Sequence, residues 1–215
     1  MKNTQKPKND SQYFCAQPES EDRRRTFEII LRGNKVNATT SNGVFSANRL
    51  DPGTSVLLDD APKPAKEGNV LDIGCGWGPI CLALAGETKA TVWALDVNER
   101  ALQLAELNAK NNGFDNIRAV TAEQIDDSTQ FNTIWSNPPI RIGKEQLHEI
   151  LLTWLPRLKN GGFAYLVVQK HLGADSLIKW LSERLNEEDI EGNYEVKKYS
   201  SSKGYRVIEV AKTDE

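Results

Sequence analysis

The chain has 215 residues and carries 27 Lys and Arg against 30 Asp and Glu, a formal net charge of −3. That length suffices for one ordinary domain with a full core. The charge gives no general attraction for a polyanion, so any nucleic-acid contact must come from a local basic patch. Three cysteines at unrelated spacings, Cys15, Cys75 and Cys81, predict free thiols in a reducing compartment, with neither a disulfide framework nor a zinc site. No apolar leader and no apolar run near the roughly 20 residues of a membrane span is visible, which predicts a soluble, cytoplasmic protein without a membrane role.

Residues 1–25 read as a flexible polar tail ending in Arg23-Arg24-Arg25, a solvated run or a phosphate contact. Residues 26–60 read as a β-rich lead-in to a single domain over 26–215. It has short strands at 26–31 and 35–39, an Asn42-Gly43 turn, and Asp51-Pro52-Gly53-Thr54 before a short apolar run. It could form a lid over a ligand, with Phe45 either a ligand-side aromatic or core. Strands are predicted at 70–73, 91–95, 117–121, 131–136 and 163–168, then at 194–199 and 205–210. Helices are predicted from Pro79, over 98–112 with Ala101, Leu102, Ala105 and Ala109 inward, over 144–158 with Gly161-Gly162 as its C-cap, and over 175–185. The alternation over 68–212 predicts an α/β fold with a doubly wound, Rossmann-like sheet of seven strands. The sheet should be mostly parallel, with an antiparallel C-terminal hairpin.

The first strand runs into Asp72-Ile73-Gly74-Cys75-Gly76-Trp77-Gly78-Pro79. Strand, glycine turn and helix is the local geometry of a nucleotide pocket. The three glycines alternate, and Pro79 stands where a dinucleotide fingerprint needs its last glycine. Asp72 suits a cation better than a pyrophosphate. S-adenosylmethionine has an ammonium, a sulfonium and a ribose but no phosphate, and this stretch resembles the first motif of class I methyltransferases. An ordinary glycine-rich turn is the plain alternative. Asp96 ends the next strand, where a carboxylate suits two ribose hydroxyls or caps a helix. Ala122-Glu123 follows the third, placed for an adenine amine or simply on the surface.

Asn137-Pro138-Pro139-Ile140 follows the fourth strand. Two prolines stiffen the turn, and an amide beside a fixed carbonyl offers two acceptors to one planar amine. Such an amine is a poor nucleophile because its lone pair is conjugated, and acceptors off the ring plane stabilise charge developing on it. Ile140 would touch the face of the target.

With these residues in view, residues 27–210 resemble the small single-domain members of the ribosomal RNA small-subunit guanine-N2 methyltransferase family. The matching stretches are Asn42-Gly43-Val44-Phe45-Ser46, Asp51-Pro52-Gly53-Thr54, the glycine turn, and Asp96-Val97-Asn98. Asn137-Pro138-Pro139-Ile140-Arg141-Ile142-Gly143-Lys144 and Lys203-Gly204-Tyr205-Arg206-Val207 complete the set. The resemblance implies S-adenosyl-L-methionine as cofactor and a guanine amine of ribosomal RNA or the small subunit as acceptor. It implies cofactor contacts from Asp72, Gly74, Cys75, Gly76, Gly78, Pro79, Asp96, Val97, Asn98, Ala122, Glu123 and Asn137. Catalysis would fall to Asn137, Pro138, Pro139 and Ile140. The larger relatives carry an extra N-terminal domain without a counterpart here. The sequence has Ser41 where the family usually has Asp, and Ala122-Glu123 where it has Ser-Asp. Arg141, Lys144, Lys203 and Arg206, with Lys170 and His171, are expected to form an RNA-facing patch. Enzymes acting on adenine N6 or a protein glutamine use the same turn but favour an aromatic where Ile140 stands. A silent RNA-binding protein that keeps the fold, and more distantly a hydride-transfer enzyme, are the other readings.

Overall fold

A computed structural model of the protein describes residues 20–47 and 49–213. The tail predicted over 1–25 therefore lies mostly outside the described residues, as does Cys15. Arg24 and Arg25 open strand β1 (Arg24–Leu31), which pairs antiparallel with β2 (Asn34–Ser41) around Arg32-Gly33. Arg23 and Arg24 pair with Glu21 and Asp22 at 2.9 and 3.0 Å, so part of the arginine triplet is neutralised locally.

The main sheet has the order β5-β4-β3-β6-β7-β9-β8. Its strands are β3 (Asn69–Ile73), β4 (Thr91–Leu95), β5 (Ile117–Val120), β6 (Phe131–Ser136), β7 (Leu158–Gln169), β8 (Asn193–Ser202) and β9 (Tyr205–Thr213). β3 to β7 run parallel, and β9 is antiparallel to both of its neighbours. The expected doubly wound, mostly parallel sheet is thus present. From β3 the chain steps outward to β4 and β5, then returns to β6 on the other side. That reversal opens a crevice at the carboxyl ends of β3 and β6, where open α/β sheets hold their ligands.

β3 is buried on both faces. Val70 joins a core with α2 (Pro79–Ala85), α3 (Glu99–Asn111) and the hairpin, while Leu71 and Ile73 join one with α4 (Lys144–Trp154) and α5 (Ala174–Arg184). Apolar residues on both sides are what a central parallel strand requires.

Three local expectations are corrected. The lead-in contains a helix, α1 (Pro52–Asp60), capped by Asp51, whose Oδ1 accepts from Gly53 N at 2.8 Å and Thr54 N at 3.1 Å. Asp at the N-cap followed by Pro at the first helical position is a helix-start signal. α4 ends at Trp154, because Pro156 has no N–H with which to continue the ladder. Gly161-Gly162 then lies inside β7, where Leu158 pairs with Phe131 but Phe163 pairs with Thr133. The chain loops out between them, and a Cβ on Gly162 would sit 2.8 Å from the Lys159 carbonyl. On α3 Leu102 packs partly buried against the core, and Leu104, which the sequence reading left out, is the fully buried leucine.

α3 also buries Asn108. Its Nδ2 donates to the Thr39 and Trp77 carbonyls, both at 2.8 Å, and its Oδ1 accepts from Thr39 N at 2.6 Å. The hairpin is thereby tied to the glycine turn. Among the described residues, no helix is long and apolar enough to cross a membrane.

Candidate active site

A cavity of about 640 Å³ opens at the carboxyl edge of the sheet. The glycine turn, Asp96-Val97-Asn98 and Asn137-Pro138-Pro139-Ile140 all line it. Gly74 and Gly76 have φ of 76° and 56°, a region only glycine enters freely. Gly74 N and Cys75 N donate to the Leu95 carbonyl at 2.8 and 2.9 Å, and Gly76 N donates to Asp96 Oδ2 at 2.9 Å. These bonds hold the turn against β4. A Cβ on Gly74 would meet nothing within 4 Å, so the bare backbone faces open space that a ligand can fill.

Asp96 does not cap α3. Asn98 does, accepting from Arg100 N at 3.0 Å and Ala101 N at 3.3 Å while its Nδ2 donates to the Gly43 carbonyl at 2.8 Å. Asp96 is left at the cavity wall, with Oδ1 accepting from Asn98 N at 2.9 Å. Burial pushes its carboxyl above the usual range, against the pull of these N–H donors.

Asp72 is placed differently from expectation. It is fully buried within β3 and off the cavity wall. Its Oδ2 accepts from Cys81 N at 2.9 Å, pinning the start of α2 to the strand, and its Oδ1 has no hydrogen-bond partner. Desolvation drives its carboxyl well above the usual range. The direct ligand contact predicted for Asp72 is replaced by a supporting role. Gly78 is also structural: with φ of 98°, it lets α2 approach α3, since a Cβ there would lie 3.4 Å from Ala105 of α3 as well as 3.1 Å from Cys81 Sγ. Cys75 and Pro79 border only a narrow crevice of about 20 Å³, which shares Phe45, Asp51, Gly74, Gly76 and Asn137 with the main cavity. Burial raises the Cys75 thiol well above its ordinary value, which suits a space-filler and not a nucleophile. Trp77 is 1% exposed, and its ring meets Phe27 edge-on at 5.7 Å, as a core residue.

Asn137 sits where β6 leaves the sheet. Its Nδ2 donates to Asp51 Oδ1 at 2.7 Å and to Thr54 Oγ1 at 3.0 Å. Both partners come from the start of α1, so one end of a helix unmarked in the sequence reading sets the orientation of this amide. With its nitrogen so engaged, its oxygen is the acceptor offered to a ligand. Pro139 follows at φ −75° and ψ 75°, an inverse γ-turn closed by Ile140 N on the Pro138 carbonyl at 2.8 Å. The prolines make the turn stiff, and the Pro138 oxygen keeps a second lone pair. Phe45 (45% exposed) and Val97 (57% exposed) present apolar surface at the cavity, which settles Phe45 as a wall residue and not core.

The model of the methyltransferase small domain family matches residues 35–198. The chain belongs to this family. It is 36% identical over 204 residues to the Bacillus subtilis protein YbxB, spanning 93% of this chain and 98% of that protein. It is 32% identical over 175 residues to ribosomal RNA small subunit methyltransferase C of Shewanella amazonensis, spanning 79% of this chain and 51% of that protein. Among solved structures, the T. thermophilus 16S rRNA N2 methyltransferase RsmC, in complex with AdoMet and guanosine, superposes with a TM-score of 0.70 at 22% identity. That match covers 92% of this chain and 52% of that one. The chain thus spans about half the length of these methyltransferase C relatives. The sheet and its flanking helices are the class I methyltransferase fold.

Against this family background, the two sequence departures acquire physical accounts. Ser41 is buried and donates to Asp22 Oδ1 at 2.5 Å, so a carboxylate stands beside the position from a neighbouring segment. That bond is the main cause holding the Asp22 carboxyl below its usual range. Ala122 lines the cavity, but Glu123 is exposed, carried outward by the 3-10 turn Ala122–Gln124 that Thr121 and Gln124 cap. Glu123, expected from the sequence to meet an adenine amine, does not line the cavity. α4 adds Gln146, Glu149, Ile150 and Trp154 to the cavity wall, residues that the sequence reading did not assign to the site.

The expected basic patch is gathered only in part. Arg141 lines the cavity and Lys144 is exposed at the start of α4. Lys170 N donates to the Gly204 carbonyl at 2.9 Å, which sets the Lys203-Gly204 turn beside Lys170 at the same edge. Lys203, however, pairs with Asp59 at 3.4 Å, and Arg206 with Asp175 at 2.8 Å. Both cations are counterbalanced by carboxylates and not presented as free charge. His148 stacks on Trp180 at 3.4 Å, outside the cavity wall.

Proposed function

We propose that this protein transfers the methyl group of S-adenosylmethionine to the exocyclic N2 amine of a guanine in small-subunit ribosomal RNA. The observation that carries this reading is the Asn137 amide, held by Asp51 and Thr54 with its oxygen as the remaining acceptor, on a cavity shared with the glycine turn. Gly74, Gly76, Asp96, Val97 and Ala122 would hold the cofactor: bare backbone, a carboxylate for ribose hydroxyls, and apolar walls for an adenine. Asn98, Asp72, Cys75, Gly78 and Pro79 shape the turn behind them. When bound, the cofactor supplies an electrophilic methyl on a sulfonium.

The chain's own residues prepare the acceptor. Asn137 Oδ1 and the Pro138 carbonyl accept from the planar amine, orient it, and stabilise the positive charge that grows on nitrogen as its lone pair leaves conjugation. Ile140 packs on the face of the base. The surplus proton departs to water, since neither His148 nor His171 is arranged as a base. The relatives named for ribosomal RNA methylation support the substrate class, with Arg141 and Lys144 as the RNA-facing cations and the cytoplasm as the place of action.

Transfer of labelled methyl to small-subunit RNA and to assembled subunits, followed by nucleoside analysis, tests this. The expected product is N2-methylguanosine. Asn137→Ala should lower kcat/KM by about 10²–10³-fold, the loss typical of one preorganised partner of developing charge. Label found in adenine or in protein would overturn the assignment.

A further inference from the structure

Gln169 ends β7 and Tyr205 begins β9; they face each other in the antiparallel ladder, and both line the cavity. The proposed chemistry uses neither. Gln169 Nε2 donates to Tyr205 Oη at 2.8 Å. The phenol ring is itself lodged against α1, where a Cβ on Gly53 would come within 2.9 Å of it. This bond sets the Gln169 amide with its nitrogen toward the phenol, leaving its oxygen as the acceptor for a ligand. Asn137 is oriented in the same sense by Asp51 and Thr54. β6 and β7 are neighbours, so the two amide oxygens approach one cavity from adjacent strands, which lie about 4.8 Å apart in any sheet.

We infer that Gln169, held by Tyr205, accepts the ring N1–H of the target base and makes the site select guanine. This rests on the base-methylation reading above. Among the bases with an exocyclic amine, guanine alone carries an N–H beside that amine. Adenine and cytosine carry a ring lone pair there. Two acceptor oxygens therefore match the donor–donor edge of guanine. With adenine, one oxygen would confront a lone pair, leaving both groups without a hydrogen bond in a water-poor site, which is how enzymes reject close analogues most strongly.

The test measures binding of guanosine and of 2-aminopurine riboside, which keeps the amine but has a lone pair in place of the N1–H and a hydrogen in place of O6, so that the change on substituting Gln169 isolates the N1 contact. Calorimetric competition is run at saturating S-adenosylhomocysteine. The wild-type protein should prefer guanosine by about tenfold, the value of one such hydrogen bond. Gln169→Leu should bring the two nucleosides within about threefold, while Gln169→Glu, which keeps an acceptor, should preserve the preference. Unchanged S-adenosylhomocysteine affinity shows that each variant is folded. An undiminished preference in Gln169→Leu, or equal affinities in the wild type, overturns the role of Gln169. Failure of the underlying reading would show separately, as wild-type methyl transfer to something other than guanine.

Discussion

At the scale of single residues, the site depends on where hydrogen-bond donors are already engaged. Asn137 could present either end of its amide; Asp51 and Thr54 decide which. Asp72 illustrates the opposite case, a carboxylate with one oxygen satisfied by Cys81 N and the other unpaired in the core. Burial raises its folded-state pKa, so the folded protein binds this proton more tightly than the unfolded chain does. The stability it contributes is full below the ordinary carboxylate range and is lost as pH rises toward the folded value. Asp72→Asn is neutral at every pH and still accepts from Cys81 N. The difference in unfolding free energy, variant minus wild type, should therefore climb above about pH 4 with a slope approaching about 1.4 kcal/mol per pH unit. Urea unfolding of both proteins between pH 4 and 8 measures it, and a flat difference would contradict a desolvated carboxyl.

At the scale of elements, the cavity exists because α1, the glycine turn and α3 are drawn together. Asp51 both caps α1 and receives the Asn137 amide, so helix start and candidate catalytic turn share one oxygen. Gly78 allows α2 to lie close to α3, with its would-be Cβ 3.1 Å from Cys81 Sγ and 3.4 Å from Ala105. Gly78→Ala combines a positive φ of 98° with that overlap. It should cost about 2–4 kcal/mol, the sum of backbone strain and overpacking. A thermal melt reads this as a fall of several degrees. An unchanged midpoint would mean that α2 can withdraw from α3 without cost.

At the scale of the whole molecule, a net charge of −3 must be reconciled with the proposed RNA substrate. The pairings sort the cations at the cavity edge. Lys203 and Arg206 already have carboxylate partners, whereas Lys144 stands exposed beside the candidate catalytic turn. Lys144→Ala should weaken RNA binding and reduce the salt slope by roughly 0.7–0.9, one phosphate's share of counterion release. Lys203→Ala should leave the slope nearly unchanged. Filter-binding titrations from 50 to 300 mM salt distinguish the two, and equal effects would mean that the Asp59 pairing breaks on RNA.

Strand and helix order, the parallel sheet and the Asn137-Pro138-Pro139-Ile140 turn were legible in the sequence, because they rest on local periodicity and on glycine and proline stereochemistry. The β4 and β6 boundaries agree with the reading residue for residue. α1 was legible in principle from Asp51-Pro52, but it was hidden among β-rich neighbours. Pairwise geometry between distant segments was not legible. Asp51 lies 86 positions from Asn137, and Gln169 lies 36 from Tyr205. Glu123 and Lys203 have ordinary-looking sequence positions, yet a 3-10 turn carries one outward and Asp59 pairs with the other. Residue type determined which chemistry the chain could perform. Only the folded arrangement decided which end of each amide, and which of the charges, is left for a ligand, because that depends on donors and acceptors brought together across the sheet.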